Sequence, residues 1–175
     1  MRTLKQIMLL VIVTSMVTLT SCKSDDDGGN PFNVGASSGT IEAKIDGNQF
    51  TSLAITSFAN MASGGGQTTL VIQGNTQSQA INIVINGYEG VGSYEISDNN
   101  VFITASYIEP NISNPSETQT WTAPYQDSGV IGEISISEET DTKVKGTFSF
   151  DCKNSNDDTI KSVTEGSFDL TLQSS

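Results

Sequence analysis

Val144-Lys145-Gly146-Thr147-Phe148-Ser149-Phe150-Asp151-Cys152 decides how this chain is read. Val144, Phe148, Phe150 and Cys152 fall on one side of a two-residue repeat, and Lys145, Thr147, Ser149 and Asp151 on the other. Successive side chains of a strand point to opposite faces, so this segment is a strand with one face on a core and one in water. Its expected partner is the C-terminal run ending Phe168-Asp169-Leu170-Thr171-Leu172. Farther out, Thr40-Ile41-Glu42-Ala43-Lys44-Ile45 alternates the same way. Asp46-Gly47 then supplies a turn that tolerates positive φ, and Asn48-Gln49-Phe50-Thr51 starts the return strand. Ile81, Ile83 and Ile85 share a face, as do Val101, Ile103, Ala105 and Tyr107; Val130, Ile134 and Ile136 do so with Gly132 between them. Gly and Asn/Asp clusters punctuate the gaps at 63–66, 74–76, 87–92, 97–100 and 154–158. No helical stripe is visible in the mature chain. Residues 53–61 are the one place for a helical turn, and they read as strand and loop. About ten strands in residues 40–175 predict a single all-β domain, an antiparallel sandwich with curled sheets. Val84, Phe102 and Ile131 point opposite to their apolar neighbours, which keeps a small β-barrel as the alternative.

The chain has 175 residues, 8 basic and 20 acidic, with a net charge of −12. It has no histidine, and its only arginine is Arg2. A histidine-dependent triad, a histidine zinc site and a bidentate arginine clamp are therefore excluded from the mature protein. Nucleic acid is not an expected partner, because its binding depends on basic side chains neutralising phosphates. No cofactor is expected.

Residues 1–21 have the parts of a secretory signal: basic Arg2 and Lys5, an apolar run over 7–17, and a short polar approach to a cleavage point. The run is too short for a stable membrane span of roughly 20 residues. Leu19-Thr20-Ser21-Cys22 resembles the bacterial lipobox, in which the cysteine is diacylated and becomes the mature N-terminus. Cys22 is therefore the expected lipidation site, and each buried acyl methylene contributes about 0.8 kcal/mol to anchoring. Residues 22–39 read as the lipidated cysteine and a flexible acidic tether. Their Lys23-Ser24-Asp25-Asp26-Asp27-Gly28-Gly29-Asn30 resembles the signal that sends Bacteroidota lipoproteins to the outer face of the outer membrane. Without the signal the charge becomes −14, since Arg2 and Lys5 go with it.

Four short segments carry a wider resemblance. They are Gly39-Thr40-Ile41-x-Ala43-x-Ile45-Asp46-Gly47-x-x-Phe50, Gly92-Ser93-Tyr94-x-Ile96, Val144-x-Gly146-Thr147-Phe148-Ser149-Phe150 and Thr164-Glu165-Gly166-Ser167-Phe168-Asp169. In this order the chain resembles a family of small all-β Bacteroidota lipoproteins of uncharacterised function. The shared segments are strand and turn signatures, so the resemblance implies a fold and an address but no catalytic residue.

Cys152 is the only thiol left once Cys22 is acylated, and its phase with Phe148 and Phe150 places it in the core as a small hydrophobe. Asn154, Asn156 and Asp158, with Glu165 at the twelfth place, match part of a calcium loop. Thr159 stands where such a loop needs glycine, and the flanks are strands, so a polar hairpin loop is the competing reading. Asp158-Thr159-Ile160 also resembles a Bacteroidota O-glycosylation acceptor through the hydroxyl of Thr159. Trp121-Thr122-Ala123-Pro124-Tyr125 can form an aromatic platform for a sugar ring or a peptide, with Trp121 and Tyr125 as ligand-binding residues. Against this, Trp121 can cap one end of the core. Glu138-Glu139-x-Asp141 reads as a hairpin tip.

The expectation is an outer-membrane, surface-exposed lipoprotein with a non-catalytic binding, adhesion or envelope-structural role. Its partners would be the membrane, through the anchor, and a glycan or protein ligand. The alternatives are a glycan hydrolase using two carboxylates and, if the fold is a barrel with a cavity, a small-ligand carrier.

Overall fold

The computed structural model describes residues 39–174; the signal, Cys22 and the tether up to residue 38 lie outside the described residues. The strands are β1 (Thr40–Ile45), β2 (Asn48–Thr51), β3 (Phe58–Gly64), β4 (Gln67–Asn75), β5 (Ala80–Asn86), β6 (Gly92–Ser97), β7 (Ile103–Glu109), β8 (Gln119–Ala123), β9 (Val130–Thr140), β10 (Lys143–Lys153) and β11 (Ile160–Ser174). Two 3-10 turns, Ala54–Thr56 and Pro115–Glu117, are the helical elements among the described residues. The domain is all-β. Residues 53–61 hold one of these turns and the start of β3.

All eleven strands join one sheet in the order β2-β1-β11-β3-β4-β5-β7-β8-β10-β9-β6, and β11 also pairs with β10. Pairing is antiparallel except between β11 and β3. The expected antiparallel sheets are therefore stitched into a single mixed sheet by the hairpin strands β10 and β11. β10 and β11 outrun their partners. β11 passes from β1 and β10 to β3 over Leu172–Ser174, and β10 reaches β8 through the single pair Lys153 with Thr122. The bend in β11 lies at Glu165-Gly166, where both of its antiparallel ladders slip. Glu165 has φ +51°, and a Cβ on Gly166 would collide with the ring and backbone of Phe148. An extra residue unpaired in this way bends the strand and increases its local twist.

The inward faces form one core that includes Ile41, Ile83, Tyr107, Ile134, Phe148 and Phe168. The expected inward phase holds along β1, β5 and β10 but fails at two residues. Val101 and Val130 are 67% and 62% exposed. Val101 lies in a turn before β7, where Asn100 Oδ1 accepts from the Phe102 N–H. Val130 lies beyond a slip in the β6–β9 ladder between Ile96 and Ser97, which shifts it off the phase of Ile134.

Charge is divided unequally across the sheet. All five lysines of the described residues lie on β1, β10 and β11, whereas β3, β4, β5, β7 and β8 hold one charged residue, Glu109.

Candidate functional site

Trp121 sits in the core rather than on an exposed platform. It is 5% exposed, because the alternation of β8 turns both Trp121 and Ala123 inward. It pairs across strands with Tyr107, ring centroids 5.6 Å apart, and Lys161 Nζ lies 5.3 Å over its ring. Its indole Nε1 donates to Thr159 Oγ1 at 2.9 Å. Lys161 in turn faces Asp46 at 3.1 Å and Glu109 at 4.0 Å. The Ser162 N–H and Lys161 together hold the Asp46 carboxyl below its ordinary range. Tyr107 donates to Glu109 and accepts from Gln79. Burial, and then Glu109, push its phenol pKa up. Tyr125 is half-buried, with Lys153 Nζ 5.9 Å from its ring centre.

The 154–159 loop folds onto this network. Asn154 is fully buried, with Oδ1 accepting from the Asn156 N–H and Nδ2 donating to Gln119 Oε1, both at 2.9 Å. Asp157 Oδ1 accepts from the Thr159 hydroxyl at 2.7 Å and from its N–H at 3.0 Å, bonds that hold the Asp157 carboxyl below its ordinary range. Asp158 pairs with Lys153 at 2.7 Å, and Glu165 pairs with Lys44 at 2.8 Å. The calcium reading thus loses its ligands to internal bonds: Asn154 Oδ1 ties the loop, Asp158 faces a lysine, and Glu165 faces another. Among the described residues no group of three or more His, Cys, Asp or Glu is placed to hold a metal. The Thr159 hydroxyl, the glycosylation candidate, belongs to an exposed residue and is engaged by two partners.

Cys152 is buried, with its thiol donating to Lys161 O at 3.4 Å, and burial pushes its pKa up to about 12. It is a core residue, as its phase predicts.

Sequence reasoning passed over a second region. A depression of about 530 Å³ is lined by Met61, Val91, Glu139, Thr140, Asp141 and Leu172. It combines the β9–β10 tip, the connection between β5 and β6, and the β11–β3 join. Buried Tyr88 donates to Glu139 Oε2 at 2.7 Å and stacks on Tyr94 at 5.5 Å. Tyr94 donates to Gly90 O and accepts from the Glu89 N–H, which pins the connection. Burial, then Glu139, raises the Tyr88 phenol pKa. The available signal was Tyr88 and Tyr94 bracketing a glycine-rich turn.

A smaller depression of about 240 Å³ includes Glu133 and Glu165. The Asp46 and Asp157 carboxyls are both held below their ordinary range, a direction that suits ionised partners in structural bonds.

No curated protein and no solved structure matches the chain. A family model described as Domain of unknown function (DUF6252) matches residues 37–170, from just before β1 into β11, and the chain belongs to that family.

Proposed function

We propose that the chain is a lipoprotein of the outer membrane, anchored through Cys22, that presents a non-catalytic binding domain on the acidic tether. The observation that carries the anchor is the apolar run 7–17 followed by Leu19-Thr20-Ser21-Cys22. Among the described residues no helix is long and apolar enough to cross a membrane, so the reading assigns attachment to the lipid. The acidic run after Cys22 supports Bacteroidota-type export to the cell surface. A binding role is supported by the depression beside Glu139, where the carboxylates adjoin Met61, Val91 and Leu172.

The test is membrane fractionation with metabolic fatty-acid labelling of the wild type and Cys22→Ser. Labelled, membrane-bound wild type and an unlabelled, unprocessed or soluble variant are expected. A variant that is still processed and membrane-bound would overturn the anchor. Replacing Asp25, Asp26 and Asp27 by alanine should keep the label and lower protease accessibility on whole cells; unchanged accessibility would reduce the acidic run to a linker.

A further inference from the structure

We propose that the depression lined by Met61, Val91, Leu172, Glu139 and Asp141 binds a cationic amphipathic peptide segment, apolar side chains on the first three residues and ammonium groups at the two carboxylates. The proposal deepens the binding reading and does not depend on the lipid anchor.

Charge accounting points to the cation. Each of the five described lysines is committed elsewhere: Lys44 to Glu165, Lys143 to Asp169, Lys145 to Glu138 and Asp169, Lys153 to Asp158, and Lys161 to Asp46. Among the described residues none reaches Glu139 or Asp141 within ion-pair distance. Neighbouring positions of β9 show the contrast: Glu138 faces Lys145 at 3.4 Å, while Glu139 points to the opposite side, where its Oε2 accepts from neutral Tyr88. A charged carboxylate lacking a counter-ion beside apolar surface gains most from an incoming cation.

The apolar side points to an amphipathic ligand. Val91 is 63% exposed and Met61 half-buried, and with the edge of core Leu172 they put apolar atoms next to the two acids. A volume of about 530 Å³ lies within the usual range of ligand clefts. Two carboxylates on an apolar floor do not suit a hard metal ion, which wants six or more oxygens. A stacking sugar would want an open aromatic face, and Tyr88 is only 6% exposed. The walls are already organised. The Tyr88 N–H donates to Thr68 O at 2.8 Å, its hydroxyl holds Glu139, and Tyr94 holds Gly90 O at 2.6 Å. Little ordering is left to oppose binding. Five lysines against 17 acids leave residues 39–174 strongly negative, which also steers a basic peptide toward the domain.

The experiment is calorimetric titration, with backbone amide shifts, of the full chain in a neutral detergent. The probes are a short peptide of alternating Leu and Lys, a Leu/Gln counterpart and a Ser/Lys counterpart. The Leu/Lys peptide should bind, shift residues 87–91 and 139–141, and weaken with salt. Glu139→Gln with Asp141→Asn should weaken it about tenfold or more, and Val91→Ser should weaken it as well. Glutamine retains an acceptor for Tyr88, so the fold is preserved. Glu117→Gln with Asp127→Asn, an equal loss of charge elsewhere, should leave the affinity within about twofold. Equal weakening by both double variants, or equal binding of the Ser/Lys peptide, reduces the effect to non-specific charge and overturns the proposal. Binding of the Leu/Gln peptide alone, with the same amide shifts, overturns the cationic ligand but leaves a binding groove. No shift at 87–91 and 139–141 with any probe removes the groove as a binding site.

Discussion

The indole Nε1 of Trp121 donates to the hydroxyl oxygen of Thr159 at 2.9 Å, and that hydroxyl donates onward to Asp157 Oδ1 at 2.7 Å. A core aromatic on β8 is thereby tied to the exposed loop between β10 and β11. The loop is part of the domain's stability rather than a free tip.

Thr159→Val should leave the buried Trp121 N–H without a partner and cost about 1–3 kcal/mol. Thr159→Ser should stay close to wild type. Chemical denaturation followed by fluorescence of the chain's only tryptophan reads both. Equal stability of the valine variant and wild type would show that water replaces the hydroxyl.

Gly166→Ala should destabilise by about 1–3 kcal/mol, because the new methyl meets the Phe148 ring and carbonyl where β11 bends. Gly132→Ala should behave alike, since its Cβ would meet Ser149 O and Phe150. Gly64→Ala, with open space around it and no positive φ, should be neutral or slightly stabilising. Thermal unfolding of the three variants separates packing from chain entropy.

Asp46 makes acid stability depend on pH in a definite direction. Its folded pKa is lowered by the Ser162 N–H and Lys161, so its contribution is present above the ordinary value of 3.8. That contribution is lost as pH falls through the lower folded value. Asp46→Asn should flatten the acid limb of a stability–pH curve and leave the neutral-pH slope alone. An unchanged acid limb would mean that the unfolded chain keeps the same bonds.

Cys152 should resist thiol reagents at pH 8 in the native state, since burial raises its pKa to about 12 and removes access. Denaturation should restore full labelling, measured by mass. Native labelling at the rate of a small-molecule thiol would place Cys152 at the surface.

Much of the fold was legible because a two-residue period is a local property. Ile81, Ile83 and Ile85, or Phe148, Phe150 and Cys152, announce their face from within one strand. Val101 and Val130 escaped the same rule because turn hydrogen bonds and a ladder slip, which depend on partner strands, decide where alternation begins. The candidate site was legible only in its parts. The 154–158 loop and the 139–141 tip were visible as turns, but the bond from Trp121 to Thr159 spans 38 positions and the Tyr88–Glu139 bond spans 51.

By itself the sequence determined the all-β class, the inward faces of most strands and the burial of Cys152, because each follows from alternation within a few residues. It also determined the absence of histidine chemistry, which composition alone settles. Tertiary structure decided that β10 and β11 carry the sheet from one set of strands to the other, since nothing local sets how far a strand outruns its partner. It also decided the fate of the polar residues. Asn154, Asp158 and Glu165 could have converged on a cation; instead the Asn156 N–H, Lys153 and Lys44 take their oxygens. Which acids keep a lysine depends on distances between strands far apart in the chain, and the five lysines of the described residues stop short of Glu139 and Asp141.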